Sequence, residues 1–399
     1  MVELEVTHLA AGGAGVARTP DGRVVLCEGS LPGERVDARV VAERRDFLLA
    51  QTVSVVRASP ARTEPACPHV ARGCGGCTFA YVGTGASEVA LKAAIVADAL
   101  RRIARLPDPA VVAAPASVPG RGYRTTLRLA VDDDGRPAFR RRHTTELLSV
   151  TSCLVAHPRL EQLVVTGRFE GAGSVLMRAG AAGGERVACP DRRPRRVHVP
   201  PGTVVVPVHD ARARVTEEVA GRRWRISGAS FFQSGPAAAD AIAAAVVRAA
   251  EDALRPGATV VDLYAGVGLL GGVLASRVPD AALVSVEANP AAAADAVHNL
   301  ADLGARVRVG EVVALGADLS SADVVVADPP RRGLGPSAAG AVAAWGAELV
   351  VLVSCDPASL ARDSRLLADR GYVLDGVEVV DAFPSTVHVE TVSRFRVAR

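Results

Sequence analysis

No stretch of the 399-residue chain carries the ~18 consecutive apolar residues that a membrane-spanning helix needs. Although 49% of its residues are apolar, glycine, proline and charged residues break every apolar run early. A membrane span is therefore excluded and a soluble protein expected. The opening MVELEVTHLAAGGAGVA lacks the basic start and long apolar core of a secretory leader, which implies a cytoplasmic location. A large charge of one sign is also missing. With a net charge of only +3, affinity for nucleic acid has to come from local clusters of arginine. Lysine is nearly absent: among 46 lysines and arginines, Lys92 is the sole lysine. Together with the abundance of alanine, this reads as a compositional bias without functional content.

The chain does have the length for two or three domains, more than one hydrophobic core usually serves. Seven cysteines in a cytosolic chain read as thiols, metal ligands or nucleophiles rather than disulfides.

Three segments differ in texture. Residues 1–57 alternate short strand-like runs (4–6, 15–18, 24–26, 35–41 and 48–56) with turn pairs at Gly12-Gly13, Asp21-Gly22 and Pro32-Gly33. Five such strands predict a small OB-like barrel, a shape that binds single-stranded nucleic acid. Composition alone also allows a generic β module. Residues 58–225 are irregular, with a cysteine cluster, one helical stretch over 87–105, strand-like runs at 123–131 and 204–208, and a proline-arginine linker over 190–201. From about 226 to 399, apolar strands at 259–264, 282–287, 307–309, 323–327 and 348–354 alternate with helical stretches at 290–303 and 357–369. That alternation predicts a doubly wound, largely parallel sheet with its ligand site at the carboxyl ends of the strands.

The first strand of this last segment runs into Asp262-Leu-Tyr-Ala-Gly-Val-Gly-Leu-Leu-Gly271, and Glu287 ends the next strand. Gly266, Gly268 and Gly271 fit the dinucleotide pattern, with Glu287 where a ribose-binding acid would stand. Two details point elsewhere. Asp262 occupies the strand end, and Tyr264 and Ala265 intervene before the first glycine. S-adenosylmethionine has no pyrophosphate but carries an ammonium, a sulfonium and a ribose. Asp262 suits its cationic half and Glu287 its ribose hydroxyls.

Asp328-Pro329-Pro330-Arg331 follows the fourth strand, and it serves equally as a strand terminator. The fifth strand delivers Cys355 between Ser354 and Asp356, at the start of a helix whose dipole is expected to lower the thiol pKa. The alternative is a small buried hydrophobe, which the polar neighbours disfavour. In Phe383-Pro-Ser-Thr-Val-His388-Val-Glu390, His388 and Glu390 lie two apart, on one face if the segment is a strand. A low-pKa thiolate suits attack on C6 of a uracil, which turns C5 into a nucleophile; a base must then remove the C5 proton before the thiol departs. Cys355 and Glu390 are the candidates for those roles.

Taken together, the glycine turn, DPPR, SCDP and FPSTVHVE resemble the 5-methyluridine RNA methyltransferase family over nearly the whole chain. Gly13-Ala-Gly15 and Leu31-Pro-Gly-Glu34 resemble its TRAM domain, and Phe231-Phe-Gln233 its phenylalanine-glutamine element. The resemblance implies a multidomain α/β protein: an N-terminal OB-like TRAM barrel (1–57), a central iron-sulfur α+β domain (58–225) and a C-terminal class I, Rossmann-like S-adenosylmethionine methyltransferase domain (226–399). It implies that Gln233, Tyr264, Glu287 and Asp328 bind S-adenosylmethionine, that Cys355 is the nucleophile and Glu390 the general base. Leu269 and Asp356 replace asparagines found in other members.

Cys67-x6-Cys74-Gly-Gly-Cys77 with Cys153 has the form of a four-thiolate site, for which zinc and iron-sulfur are equal on ligand type. The resemblance implies a [4Fe-4S] cluster of structural role, although the first spacing is one residue longer than the family's. Cys27 and Cys189 are read as ordinary thiols. The RNA partner, a ribosomal or transfer RNA presenting a flipped-out uridine, would meet arginines at 121, 124 and 128 and at 140–142, while those at 192–196 read as a solvated linker. No membrane and no obligate protein partner are implied. Two rival functions remain, an NAD-linked iron-sulfur oxidoreductase and a non-catalytic RNA-binding protein; both leave Cys355 and Glu390 without roles.

Overall fold

The computed structural model describes residues 1–115, 118–312, 319 and 321–398. At the N-terminus, alternating burial along Gly15–Arg18 and Val24–Glu28 puts Ala17, Val25 and Cys27 on an inner face with Val36, Ala38 and Ala50. The five expected strands are present with a sixth, His8–Leu9, in the order Val2–Glu5, Arg35–Glu43, Phe47–Arg57, Val24–Glu28, Gly15–Arg18, His8–Leu9. Register shifts between Arg35–Glu43 and Phe47–Arg57 mark bulges, the device that bends a sheet toward closure.

The middle of the chain builds a second six-stranded sheet, in the order Leu147–Ser149, Pro137–Arg140, Thr126–Val131, Ser174–Ala179, Arg186–Pro190, Thr203–Val205. The expected proline-arginine linker is not all linker. Arg196–His198 is a strand paired antiparallel with Arg168–Glu170. All three of its residues are exposed, so it carries no apolar alternation to betray it. An unforeseen hairpin, Arg214–Val219 with Arg222–Ser227, leads into the last segment.

That segment is an eight-stranded sheet in the order Arg306–Val309, Ala282–Glu287, Thr259–Leu263, Val324–Ala327, Leu349–Ser354, Glu390–Val397, Tyr372–Val380, Val111–Ala113. The first five are parallel, and Glu390–Val397 runs antiparallel to both neighbours. Both faces are covered, which is why these strands read as unbroken apolar runs. Val260, Val324, Leu349 and Val351 join a core on one face, and Val261, Val325, Val350 and Leu352 a core on the other. Strand order reverses between Thr259–Leu263 and Val324–Ala327, which opens a crevice at their carboxyl ends. The eighth strand comes from the middle of the chain. Val111–Ala113 follows the helix Ala86–Ala99 and its π-helical extension Leu100–Ala104, whose Val96 and Leu100 pack into the second core. The helix expected over 87–105 is thus part of the C-terminal layer.

All three segments of the chain meet at the connection 381–389, between the last two strands. Phe79 N–H donates to Ser385 C=O (2.9 Å), Tyr123 O–H to Pro384 C=O (3.2 Å) and Ser234 O–H to Ala382 C=O (2.7 Å). Val387 abuts the N-terminal sheet so closely that a Cβ on Gly13, at φ +83°, would lie 2.3 Å from Val387 Cγ1. Gly12, at φ +91°, has open space around it.

These two neighbours make a controlled test. Gly12→Ala incurs only the left-handed backbone cost, about 1–2 kcal/mol. Gly13→Ala adds overpacking of about 1–3 kcal/mol. Thermal unfolding of the full chain is expected to show the larger loss for Gly13→Ala, with the added part recovered in Gly13→Ala/Val387→Ala.

Candidate functional site

The crevice is built where Thr259–Leu263 leaves the sheet. Tyr264 takes a left-handed conformation (φ +59°), as do Gly266 (φ +56°) and Gly268 (φ +87°), before the helix Leu269–Ala275 begins. A non-glycine residue held there is a strain that local structure must sustain. Asp262 supplies part of the support: its Oδ2 accepts from Gly271 N–H (2.9 Å), and a Cβ on Gly271 would lie 2.6 Å from Asp262 Cβ. Glu287 supplies the rest, with Oε2 accepting from Gly266 N–H (2.8 Å) and Oε1 from Asn289 N–H (2.7 Å). Asp262 therefore already has one oxygen bound to the glycine turn.

Gln233, Tyr264 and Asp328 line one cleft with Asp262, Gly266 and Leu269, and Phe231, 64% exposed, stands at its rim. Gln233 Nε2 donates to Asp328 Oδ2 (3.1 Å). Leu269 is buried in the cleft wall.

Cys355 follows the strand Leu349–Ser354 and precedes the helix Pro357–Ala368. The N-cap of that helix is Asp356, whose Oδ1 accepts from Ser359 N–H (2.7 Å), so this carboxylate serves the helix end. The expected depression of the Cys355 pKa does not hold in the ligand-free protein. Burial, Glu390 and Asp328 push the thiol up to about 11, against a smaller opposing effect of Arg331. A short helix end is outweighed by lost hydration and two carboxyl groups.

Glu390 opens the last strand and is 3% exposed; its Oε1 is buried without a hydrogen-bond partner among the described residues. Burial, then Asp328, holds its carboxyl well above the usual range, with Arg331 opposing. Burial likewise raises Asp328, and lifts Asp262 to about 7. His388 does not share a strand face with Glu390, because the strand begins only at Glu390. It is exposed and lies with Nδ1 3.0 Å from Arg331 Nη2, an arrangement that the motif spacing does not reveal.

Cys67, Cys74, Cys77 and Cys153 line a common cavity with Arg124 and Phe139. Burial, then the neighbouring thiols, push Cys77 up to about 12. Among the described residues, however, no three His, Cys, Asp or Glu side chains are gathered as a metal ion would hold them, so the expected iron-sulfur domain is not shown. Neutral thiols pack as small apolar groups, and nothing in the bare chain draws their sulfurs together. Of the arginines, Arg124 stacks over Phe383 (5.7 Å), Arg142 lies 3.6 Å from Glu28, and Arg192 and Arg196 pair with Asp191 and Glu170.

The raised Glu390 carboxyl has a consequence for stability. The folded protein holds a proton that the unfolded chain releases near pH 4.5, so this group's contribution to stability falls as pH rises above that value. Glu390→Gln removes the dependence. Urea unfolding of the ligand-free proteins is expected to show the variant gaining on wild type as pH rises above 4.5, on the ~1.4 kcal/mol per pH unit scale of one proton, until the folded-state carboxyl itself ionises. Parallel pH curves would contradict it.

Comparison with known proteins now bears on the cleft. The TRAM domain model matches residues 1–53, and the methyltransferase small domain model matches residues 238–342. An uncharacterized RNA methyltransferase of Streptomyces avermitilis is 34% identical over 98% of this chain and 97% of its own. A 23S rRNA (uracil(1939)-C(5))-methyltransferase of Methylococcus capsulatus is 31% identical over 99% of this chain and 96% of its own. The crystal structure of Pyrococcus abyssi tRNA (uracil-54, C5)-methyltransferase with S-adenosyl-L-homocysteine superposes with a TM-score of 0.73 at 21% identity, covering 99% and 100% of the two chains, which establishes a shared fold.

Proposed function

The chain belongs to the family of TRAM-domain RNA (uracil-C5) methyltransferases, and from that premise we propose that it methylates C5 of an RNA uridine, with Cys355 as nucleophile and Glu390 as base. The observation that carries the assignment of roles is the convergence of Cys355, Glu390, Asp328 and Arg331 at the carboxyl end of the sheet, with one oxygen of Glu390 buried and unpartnered.

The cleft suits S-adenosylmethionine in its electrostatics. Asp262, Asp328 and Glu390 are carboxyl groups whose pKa burial raises with too little positive charge nearby to offset it, and a cationic ligand relieves that deficit. Gln233, Tyr264, Glu287 and Asp328 would hold it, Glu287 toward the ribose and Asp328 braced by Gln233. The bound cofactor supplies an electrophilic methyl group on a sulfonium.

The chain's own residues do the rest. Cys355 is intermediate in exposure within a buried setting, so the uridine has to leave its stack to reach it. The thiolate adds to C6, and the electron pair of the C5–C6 bond becomes the nucleophile that takes the methyl group. Glu390 then receives the C5 proton, the C5–C6 double bond re-forms, and the C6–S pair returns to Cys355. A carboxylate with a raised pKa is the stronger base for that removal. Ribosomal RNA is the preferred substrate and transfer RNA the second, with Arg121, Arg124 and Arg128 and the arginines at 140–142 as the phosphate and base contacts. The rival oxidoreductase and non-catalytic readings give no account of the unpartnered Glu390 carboxyl facing the Cys355 position.

The roles separate in a denaturing gel of enzyme with RNA from a strain lacking the gene. Cys355→Ala is expected to abolish both methyl transfer and covalent capture. Glu390→Gln is expected to methylate and then retain the RNA as an adduct. 5-Fluorouridine RNA should trap wild type in the same state. Near-normal methylation by Cys355→Ala would refute the covalent route.

The cysteine cavity is proposed to hold a four-thiolate metal group, iron-sulfur before zinc, through Cys67, Cys74, Cys77 and Cys153. Burial, with the neighbouring thiols adding to it, holds Cys74, Cys77 and Cys153 above the usual thiol range, and a multiply charged cation is what lets such thiols ionise together. Anaerobically purified protein is expected to contain about four irons with visible absorbance, both lost in Cys74→Ser and Cys153→Ser. One zinc and no colour would select the other metal; neither metal would remove the site.

A further inference from the structure

Lys92, the only lysine of the chain, is completely buried. Its Nζ donates to Asp381 Oδ1 (2.6 Å) and to Phe383 C=O (3.2 Å), and forms an ion pair with Glu88 Oε1 (2.9 Å) one helical turn earlier. The other oxygen of Glu88 accepts from Ser385 N–H (3.1 Å). Two side chains on one face of the helix Ala86–Ala99 therefore grip residues 381, 383 and 385 of the connection that leads to Glu390. Asp381 directly follows Val380, and Val380 is the ladder partner of Glu390. The grip thus acts one residue away from the ladder partner of the proposed base.

Stability does not account for such a cluster. Three ionisable groups taken out of water lose hydration that their mutual attraction repays poorly, and apolar side chains of equal volume serve a core at least as well. Burial holds Glu88 up to about 7, a sign of that cost. What the cluster provides is a fixed place. Its chemistry also explains the residue type: a compact ammonium reaches three acceptors converging from different directions, whereas a planar guanidinium matches a single fork. In a chain that uses arginine everywhere else, lysine stands at the one position where arginine does not fit. Compositional bias accounts for the arginines but not for this exception.

We propose that Lys92 is a positioning residue for proton abstraction, its contacts with Glu88, Asp381 and Phe383 holding the connection 381–389 so that Glu390 is aimed at the C5 hydrogen of the methylated adduct. The proposal rests on the roles given above to Cys355 and Glu390. In the step concerned the C5–H bond breaks with its proton passing to the Glu390 carboxylate, its electron pair forms the C5–C6 double bond, and the C6–S pair returns to Cys355 as thiolate. Cysteine addition and methyl transfer precede this step and do not need the base.

The test uses the full chain, labelled methyl donor, and total RNA from a strain lacking the gene that has been grown on [5-3H]uridine. In single turnovers, methyl incorporation reports transfer and tritium release reports proton abstraction. In Lys92→Met, methyl incorporation is expected within threefold of wild type, tritium release at least tenfold slower, and a denaturant-stable RNA-protein band is expected to build up. Asp381→Asn keeps shape and a hydrogen-bond acceptor, and is expected to slow tritium release about threefold with methyl transfer unchanged; it also serves if Lys92→Met does not fold. A purely structural Lys92 would lower both rates by the same factor, and that outcome, or two unchanged rates, overturns the proposal. 5-Fluorouridine RNA with wild type separates the premises. A trapped band with no change of partition in the variants removes only the positioning role, whereas no band removes the covalent reading and the proposal with it.

Discussion

Everything in this molecule leans on the backbone of residues 381–389. A connection buried among three segments of the chain has to find partners for its own amide and carbonyl groups, since each left bare costs as much as a lost hydrogen bond. It finds them on elements far apart in sequence: Thr78 and Phe79 beside the cysteine cavity, Glu88 and Lys92 on one helix, Tyr123 in the middle of the chain and Ser234 near the cleft. Apart from Glu88 and Lys92, whose helix leads to Val111–Ala113, these partners lie on elements outside the eight-stranded sheet. They are what turns three separately sensible segments into one body.

A second tension runs through the cleft. Burying several carboxyl groups in one cleft is unfavourable, and with few cations beside them their pKa values rise. Arg331, the charge nearest to both Glu390 and Cys355, is exposed and shared with His388. Such a site favours a positively charged ligand, and in the proposed mechanism the Cys355 thiol and the Glu390 carboxyl acquire their working charge states as that ligand and the RNA bind. In the proposed mechanism, a Cys355 pKa pushed up to about 11 leaves the free thiol unreactive until substrates are in place.

What could be read from the sequence follows from how far each interaction reaches along the chain. Buried parallel strands such as Leu349–Ser354 and Val324–Ala327 announce themselves as apolar runs, and their order with the intervening helices locates the crevice. The turn residues of the N-terminal sheet are equally local. By contrast Val111–Ala113 is three half-exposed residues whose only ladder lies with Val377–Val379, so no local pattern places it in the C-terminal sheet. Arg196–His198 fails for the same reason. At the site, the motifs identify Cys355, Asp328 and Glu390 as residues to bring together, but the sign of the Cys355 shift depends on carboxyls from two other strands and on depth, neither of which is local. Lys92 stands out in the sequence only as a lone lysine, and neither its pairing with Glu88 nor its target at Asp381 belongs to any motif.

The contact at Gly13 has a further meaning. Because Val387 fills the space where a side chain on Gly13 would sit, the N-terminal sheet is wedged against the connection that leads to Glu390 rather than tethered by a free linker. It stands at a set separation from Cys355, like the fixed jaw of a caliper. An RNA that touches both has to present two points of its folded surface at that one spacing.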